Sequence, residues 1–342
     1  MKRIALLATV VLSLAACGGD EQQDAGSEPT NTEQQGGEVL RVGLVTDVGQ
    51  LNDRGFNQLA YRGLKRAERE LGIKIKVAQS NSPADYIPNN STLARQDYDL
   101  VIGVGFAQGD AVDATAVKFP KSRFAIIDVD QQTLKHKPPN VVGLLFKEQE
   151  VGYLAGYLAG LEEKRRAGPD VISSVGGFKE PPVDRFIAGY QAGAKEADPA
   201  VQVLNGYAQT WDDTAKCKEL ALTQISRGAG VVFQVAGGCG LGALQAAGEH
   251  KVWGIGVDAD QSFLGPHVMT SAIKRVDEAV FRTIKSVVDG TWRGGRSIVL
   301  GLQQDGVGLG KVSPRIPKRD LAALDQIKDR IRSGEISVPK AL

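Results

Sequence analysis

The residues most able to do chemistry in this chain are two aromatics and a few acids set in polar loops. Thr46-Asp47-Val48-Gly49-Gln50-Leu51-Asn52-Asp53-Arg54-Gly55-Phe56-Asn57-Gln58 is a glycine-containing loop between a strand and a helix. Asn52 and Asp53 there either cap the helix or face a ligand. Phe56, an aromatic in a polar loop, either offers a flat face to a ring or packs inward. Trp211, in Tyr207-Ala208-Gln209-Thr210-Trp211-Asp212-Asp213, is a second aromatic of the same kind. Two such rings facing each other sandwich a planar base at ~1–3 kcal/mol per stack. Asp128 and Asp258 each end an apolar run. A carboxylate in that place accepts a ring N–H, or both hydroxyls of a diol on its two oxygens. Lys274, just after the run His267 to Ile273, is either a further donor or a surface lysine at a strand end.

These are groups for capture rather than turnover. The sequence has no nucleophile elbow, no metal-ligand spacing among His136, His250 and His267, and no histidine placed beside a Ser or Cys nucleophile. It reads as a non-enzyme that calls for no cofactor. Gly237-Gly238-Cys239-Gly240-Leu241-Gly242 imitates a dinucleotide fingerprint, since it follows a strand, opens a helix and precedes Asp258 by about twenty residues. With Ala243 in place of a third glycine the match is imperfect, and nicotinamide cofactors are not expected outside the membrane.

The elements that must position these residues alternate along the chain. Leu40 to Val45, Ile75 to Ala78, Leu100 to Val104, Phe124 to Ile127 and Val141 to Phe146 read as buried strands. Helical stretches lie between them at Asn57 to Leu71, Asp85 to Arg95 and Gly109 to Lys118, and another follows at Glu148 to Arg166. After the break at Gly168-Pro169 the pattern restarts. Strands fall at Val171 to Val175, Val201 to Leu204, Val231 to Val235 and Trp253 to Val257, with helices at Val183 to Glu196, Thr214 to Arg227 and Leu241 to His250. Such alternation predicts parallel, doubly wound sheets.

The two halves also match at a constant offset of 130: Phe56 with Phe186, Gly63 with Gly193, Lys65 with Lys195, and Ile127-Asp128-Val129-Asp130-Gln131 with Val257-Asp258-Ala259-Asp260-Gln261. Two similar lobes facing each other enclose a cleft. Ligands of open parallel sheets bind beyond the carboxyl ends of the strands, where Asp47, Phe56, Asp128 and Asp258 fall.

The N-terminus reads as an address. Lys2 and Arg3 precede an apolar run from Ile4 to Ala16, too short to span the ~30 Å hydrocarbon core. Leu14-Ala15-Ala16-Cys17-Gly18 resembles the bacterial lipobox, whose cysteine becomes the acylated first residue. From Gly18 to Glu38 the chain is polar and acidic, a composition expected to stay disordered. Residues 1–16 are therefore expected as a lipoprotein signal peptide and 17–38 as an acylated cysteine with its tether, holding the protein on the extracytoplasmic side of the cell membrane.

The globular remainder carries about +5, without the run of Lys or Arg that a nucleic-acid partner requires. Cys217 and Cys239 form an even pair in an exported chain, either bridged or left as buried thiols. If bridged, they close a loop worth ~3 kcal/mol in the chain-entropy model.

Leu51 to Gln58, Ile102-Gly103-Val104-Gly105-Phe106, Phe124 to Asp128, Phe186-x-x-Gly189-Tyr190-x-x-Gly193 and Gly256 to Gln261 resemble the basic membrane protein family from Val39 to about Gly294. These are lipoprotein receptors of ABC importers, similar to the purine nucleoside receptors. The resemblance implies an α/β, type I periplasmic-binding fold with two doubly wound lobes and a hinge. The N-terminal lobe would run over 39–150, completed by about 275–342, and the C-terminal lobe over 151–274.

It further implies that Phe56 and Trp211 flank a nucleoside base, Asn57 and Asp128 contact it, Asp258 and Lys274 hold the ribose, and Phe106 and Gly238 line the cleft. An ABC permease is the implied partner. Gly55, Gln50 and Trp211 stand where the family usually has Ser, Gly and Phe, so base preference stays open. A sugar- or autoinducer-binding relative of the same fold is the alternative.

Overall fold

The computed structural model describes residues 39–342; the expected signal peptide, Cys17 and the tether lie outside the described residues. In chain order the elements are β1 (Arg41–Val45), α1 (Phe56–Leu71), β2 (Lys74–Ala78), α2 (Tyr86–Arg95), β3 (Leu100–Gly103), α3 (Gly109–Lys118), β4 (Arg123–Ile127) and β5 (Val141–Phe146). There follow α4 (Glu148–Glu163), β6 (Val171–Gly176), α5 (Pro181–Ala197), β7 (Gln202–Tyr207), α6 (Thr214–Ser226), β8 (Val231–Val235), α7 (Gly240–Glu249), β9 (Trp253–Asp258) and β10 (Val268–Lys274). The last are α8 (Val276–Val288), β11 (Arg296–Leu300), β12 (Val307–Leu309) and α9 (Lys318–Arg332).

The strands form two six-stranded sheets, ordered β11-β5-β4-β3-β1-β2 and β12-β10-β9-β8-β6-β7. All pairings in the first sheet are parallel. In the second, β12 runs antiparallel to β10. Helices cover both faces of each sheet, so the inner strands are apolar on both sides; β3 and β8 are buried along their whole length.

The echo between the halves has a packing cause. Gly63 of α1 lies against the Asp277 carbonyl of α8, and Gly193 of α5 against the Tyr153 carbonyl of α4. A methyl group at either position would overlap the partner backbone, so one close helix crossing is built twice.

The chain crosses between the sheets after β5, after β10 and after β11. This corrects the expectation that residues 275–342 complete the first lobe, because only α8 and β11 do so. β12 returns to cover the open edge of the second sheet, pairing Ala272 with Leu309 and Lys274 with Val307. α9 then packs on α4, burying Leu324, Ile327 and Ile331, and Arg165 pairs with Asp320 at 2.6 Å.

Candidate ligand-binding cleft

The first lobe orders its loop through Asp53. That carboxylate accepts the backbone N–H groups of Gly55 (2.9 Å), Asn57 (2.8 Å) and Gln58 (3.1 Å), which caps α1 and sets Phe56 and Asn57 at its first turn. Asn57 Oδ1 accepts the Asp47 N–H at 2.9 Å. Asp47 accepts from Val48 N at 2.8 Å and from the Tyr86 hydroxyl. Gly105 lies against its carboxylate at φ 106, a place that fits neither a β-carbon nor an L residue's usual backbone.

Strand ends supply the rest. Asp128 after β4 and Asp258 at the end of β9, the matched pair of the two halves, both take left-handed backbone, with φ of 72 and 62. Non-glycine residues seldom adopt this conformation, and such strain gathers at binding sites. It turns each carboxylate off its sheet toward the space between the lobes.

Lys274, at the end of β10, is 2% exposed and lies 2.7 Å from Asp128 Oδ2 and 3.0 Å from Glu148 Oε1. Arg185 of α5 holds the other Glu148 oxygen at 2.7 Å. The rings of Phe56, Phe146 and Phe186 lie 5.0, 5.0 and 5.9 Å from the ammonium. Residues of both lobes thus share one buried ionic cluster.

Together these residues line one cleft between the two lobes. Asp47, Phe56, Asn57, Phe106, Asp128, Trp211, Gly238, Asp258 and Lys274 all line it. Asn52 does not: its side chain is exposed, because the adjacent Asp53 turns inward to cap α1. Trp211 packs at 5.3 Å and 56° against Phe178, which steadies it on the second lobe. Cys217 of α6 is joined by a disulfide to Cys239, beside the Gly237–Gly238 wall of the cleft.

Sequence reasoning did not single out Glu180 or Phe186 as lining residues, nor Glu148 and Arg185 behind them. The Phe186 match to Phe56 was the available signal. Nothing in local spacing marks the other three.

Enclosure shifts the acids. Burial pushes Asp258 up to about 7 against the pull of Lys274. Burial likewise raises Glu180 to about 7, with Asp47 and Asp128 adding to the rise. Asp47 is raised to about 6 by burial, opposed by its hydrogen bonds from Tyr86 and Val48. Burial works against the Lys274 ammonium, but Asp128, Glu148 and Asp258 outweigh it and hold its pKa above the usual value. Among the described residues no group of His, Cys, Asp and Glu could hold a metal ion.

Two doubly wound lobes, three crossings and a cleft between them lined by aromatic and acidic side chains define a substrate-binding protein of the type I periplasmic-binding fold. The chain belongs to the family of PnrA-like ABC transporter substrate-binding proteins, whose model matches residues 40–341. It is 34% identical over 358 residues to the ABC transporter nucleoside-binding protein BmpA of Lactococcus lactis subsp. cremoris, covering 98% of each chain. An uncharacterized lipoprotein of Pyrococcus horikoshii is 38% identical over 285 residues, covering 80% of this chain and 69% of that protein. Among solved structures, an ABC transporter solute-binding protein of Aeropyrum pernix superposes with a TM-score of 0.80 at 28% identity, over 88% of this chain and 94% of that one.

Proposed function

We propose that this chain is a lipid-anchored receptor that captures purine nucleosides between its lobes and delivers them to the permease of an ABC importer. The observation that carries the reading is the composition of the cleft: Phe56 and Trp211 stand on opposite lobes, and among the described residues Asp258 meets the cavity without a protein donor. A base between the rings gains stacking, and a ribose diol gives Asp258 the two donors it lacks. The third N–H of Lys274 remains for a ribose oxygen. A phosphate would face Asp258, Asp128 and Glu180, so nucleotides are disfavoured. The likeness to the nucleoside-binding protein of Lactococcus supports the ligand class, and that to the lipoprotein of Pyrococcus supports the anchor.

Titration calorimetry with inosine, guanosine, adenosine, ribose and adenine tests the ligand. Nucleosides should bind at least about a hundredfold tighter than ribose or free base, the equivalent of roughly 3 kcal/mol for the missing half. Ribose binding as tight as nucleoside binding would assign the cleft to sugars instead. For the anchor, Cys17→Ser should move the protein from the membrane fraction into the soluble one, and unchanged retention would refute acylation there.

A further inference from the structure

The cleft holds one more carboxylate than sugar binding uses. Five acids line it, and three are already engaged. Asp53 is occupied by backbone N–H groups and Asp47 by Tyr86 and Val48, while Asp128 is paired with Lys274 through Oδ2 and keeps its buried Oδ1 unpaired. Asp258 faces the sugar end in the reading above. Glu180 remains. It sits in extended backbone just ahead of α5, its side chain makes no capping bond to that helix, and among the described residues it has no ion pair or hydrogen-bonded partner. The neighbouring cation, Lys179, is turned to Asp184 at 3.0 Å, and the Tyr207 hydroxyl donates to the same Asp184. Among the described residues, no side chain therefore makes a direct ion pair or hydrogen bond with the Glu180 carboxylate, and Lys274 acts on it only through space.

Its surroundings say what is missing. Glu180 feels Asp47 and Asp128 as like charges and Lys274 as the opposing one. Asp47 belongs to the first lobe and Glu180 to the second, so closing the cleft brings two carboxylates toward each other from opposite walls. An occupant that places hydrogen-bond donors between them relieves both the repulsion and the loss of solvation.

Resting on the nucleoside reading, we infer that Glu180 is a specificity-determining residue that selects bases presenting adjacent ring N–H and amino donors, the edge found on guanine. A carboxylate accepts such a pair of parallel N–H groups on its two oxygens. Inosine offers the ring N–H alone. Adenosine offers an amino group beside a ring nitrogen that is itself an acceptor and meets the carboxylate lone pair to lone pair. Purine riboside, which lacks exocyclic donors and the ring N–H, offers nothing. The expected order of affinity is guanosine, then inosine, then adenosine, with purine riboside last.

The test is a calorimetric cycle with wild type and Glu180→Gln against guanosine, inosine and purine riboside. Glutamine keeps the size of the side chain and one acceptor but replaces the second acceptor with a donor. Wild type should prefer guanosine to purine riboside by at least roughly tenfold, the range expected for hydrogen bonds to a charged group. In Glu180→Gln that preference should fall to within about threefold, with purine riboside binding as tightly as in wild type or more tightly because the repulsion across the cleft is removed. An equal loss for all three ligands, or no loss for guanosine, overturns the role of Glu180 while leaving nucleoside binding intact. Wild type that binds no nucleoside overturns the functional reading, and this inference with it.

Discussion

Removing the ammonium of Lys274 should be among the most damaging single changes outside the apolar core. Its Nζ lies 2.7 Å from Asp128 and 3.0 Å from Glu148, and both acids are buried. Lys274→Met keeps most of the stem against Phe56, Phe146 and Phe186 but leaves Glu148 with Arg185 alone and Asp128 without its ion-pair partner, with Asp258 nearby. Breaking a buried pair by deleting one partner costs about 3–5 kcal/mol. For a protein of this size that corresponds to a fall in Tm of roughly 6–20 °C, at about 2–4 °C per kcal/mol. Scanning calorimetry at pH 8 reads this directly. The deficit should shrink at pH 5.5, because the orphaned carboxyls, raised further by loss of the lysine, take up protons in the folded state and shed their charge. A Tm within about 2 °C of wild type at pH 8 would show that the cluster contributes little to stability. A deficit independent of pH would show that lost packing, rather than uncompensated charge, is the cause.

Three other outcomes follow from the same geometry. Gly105→Ala places an L residue at φ 106 against the Asp47 carboxylate, so it should cost about 1–3 kcal/mol and weaken ligand binding; unchanged denaturant midpoints would contradict this. Asp53→Ala removes the acceptor of three backbone N–H groups at the start of α1 and should cost about 1–2 kcal/mol in the same assay. The raised acids predict a pH dependence of the ligand-free protein. Asp258 goes from 3.8 to about 7 on folding, so between those values the folded state holds a proton that the unfolded state has released. Stability therefore falls as pH rises through about 4 to 7, and levels off above. Tm should rise on acidification from pH 8 to 5.5, and Asp258→Asn should flatten that rise; an equally steep profile in the variant would refute the assignment.

The parts of this molecule that were legible in its sequence are those whose surroundings are local or repeated. β1, β3, β4 and β8 are rich in Val, Ile and Leu because helices bury both of their faces. The echo exposed the strand-end pair Asp128 and Asp258, since the same left-handed turn is used in both lobes. What depends on distant neighbours was not legible. Residues 302–342 belong to the second lobe because β12 finds the edge of β10, and three residues of strand carry no such instruction. The roles of Glu148 and Arg185 exist only through each other and Lys274, which lies more than a hundred residues from Glu148 in the chain. Asn52 and Asp53 are adjacent polar residues, and which one turns inward is decided by the N–H groups of α1 rather than by residue type.

Native mass spectrometry of the protein purified from its own host tests the central claim most directly. Closed lobes around a buried acid such as Asp258 should retain their ligand through gentle desalting. The account predicts a bound fraction heavier than the bare chain by the mass of one purine nucleoside, lost on Asp258→Ala. A bound mass matching a free sugar, or a bound nucleoside that persists undiminished in Asp258→Ala, would contradict it.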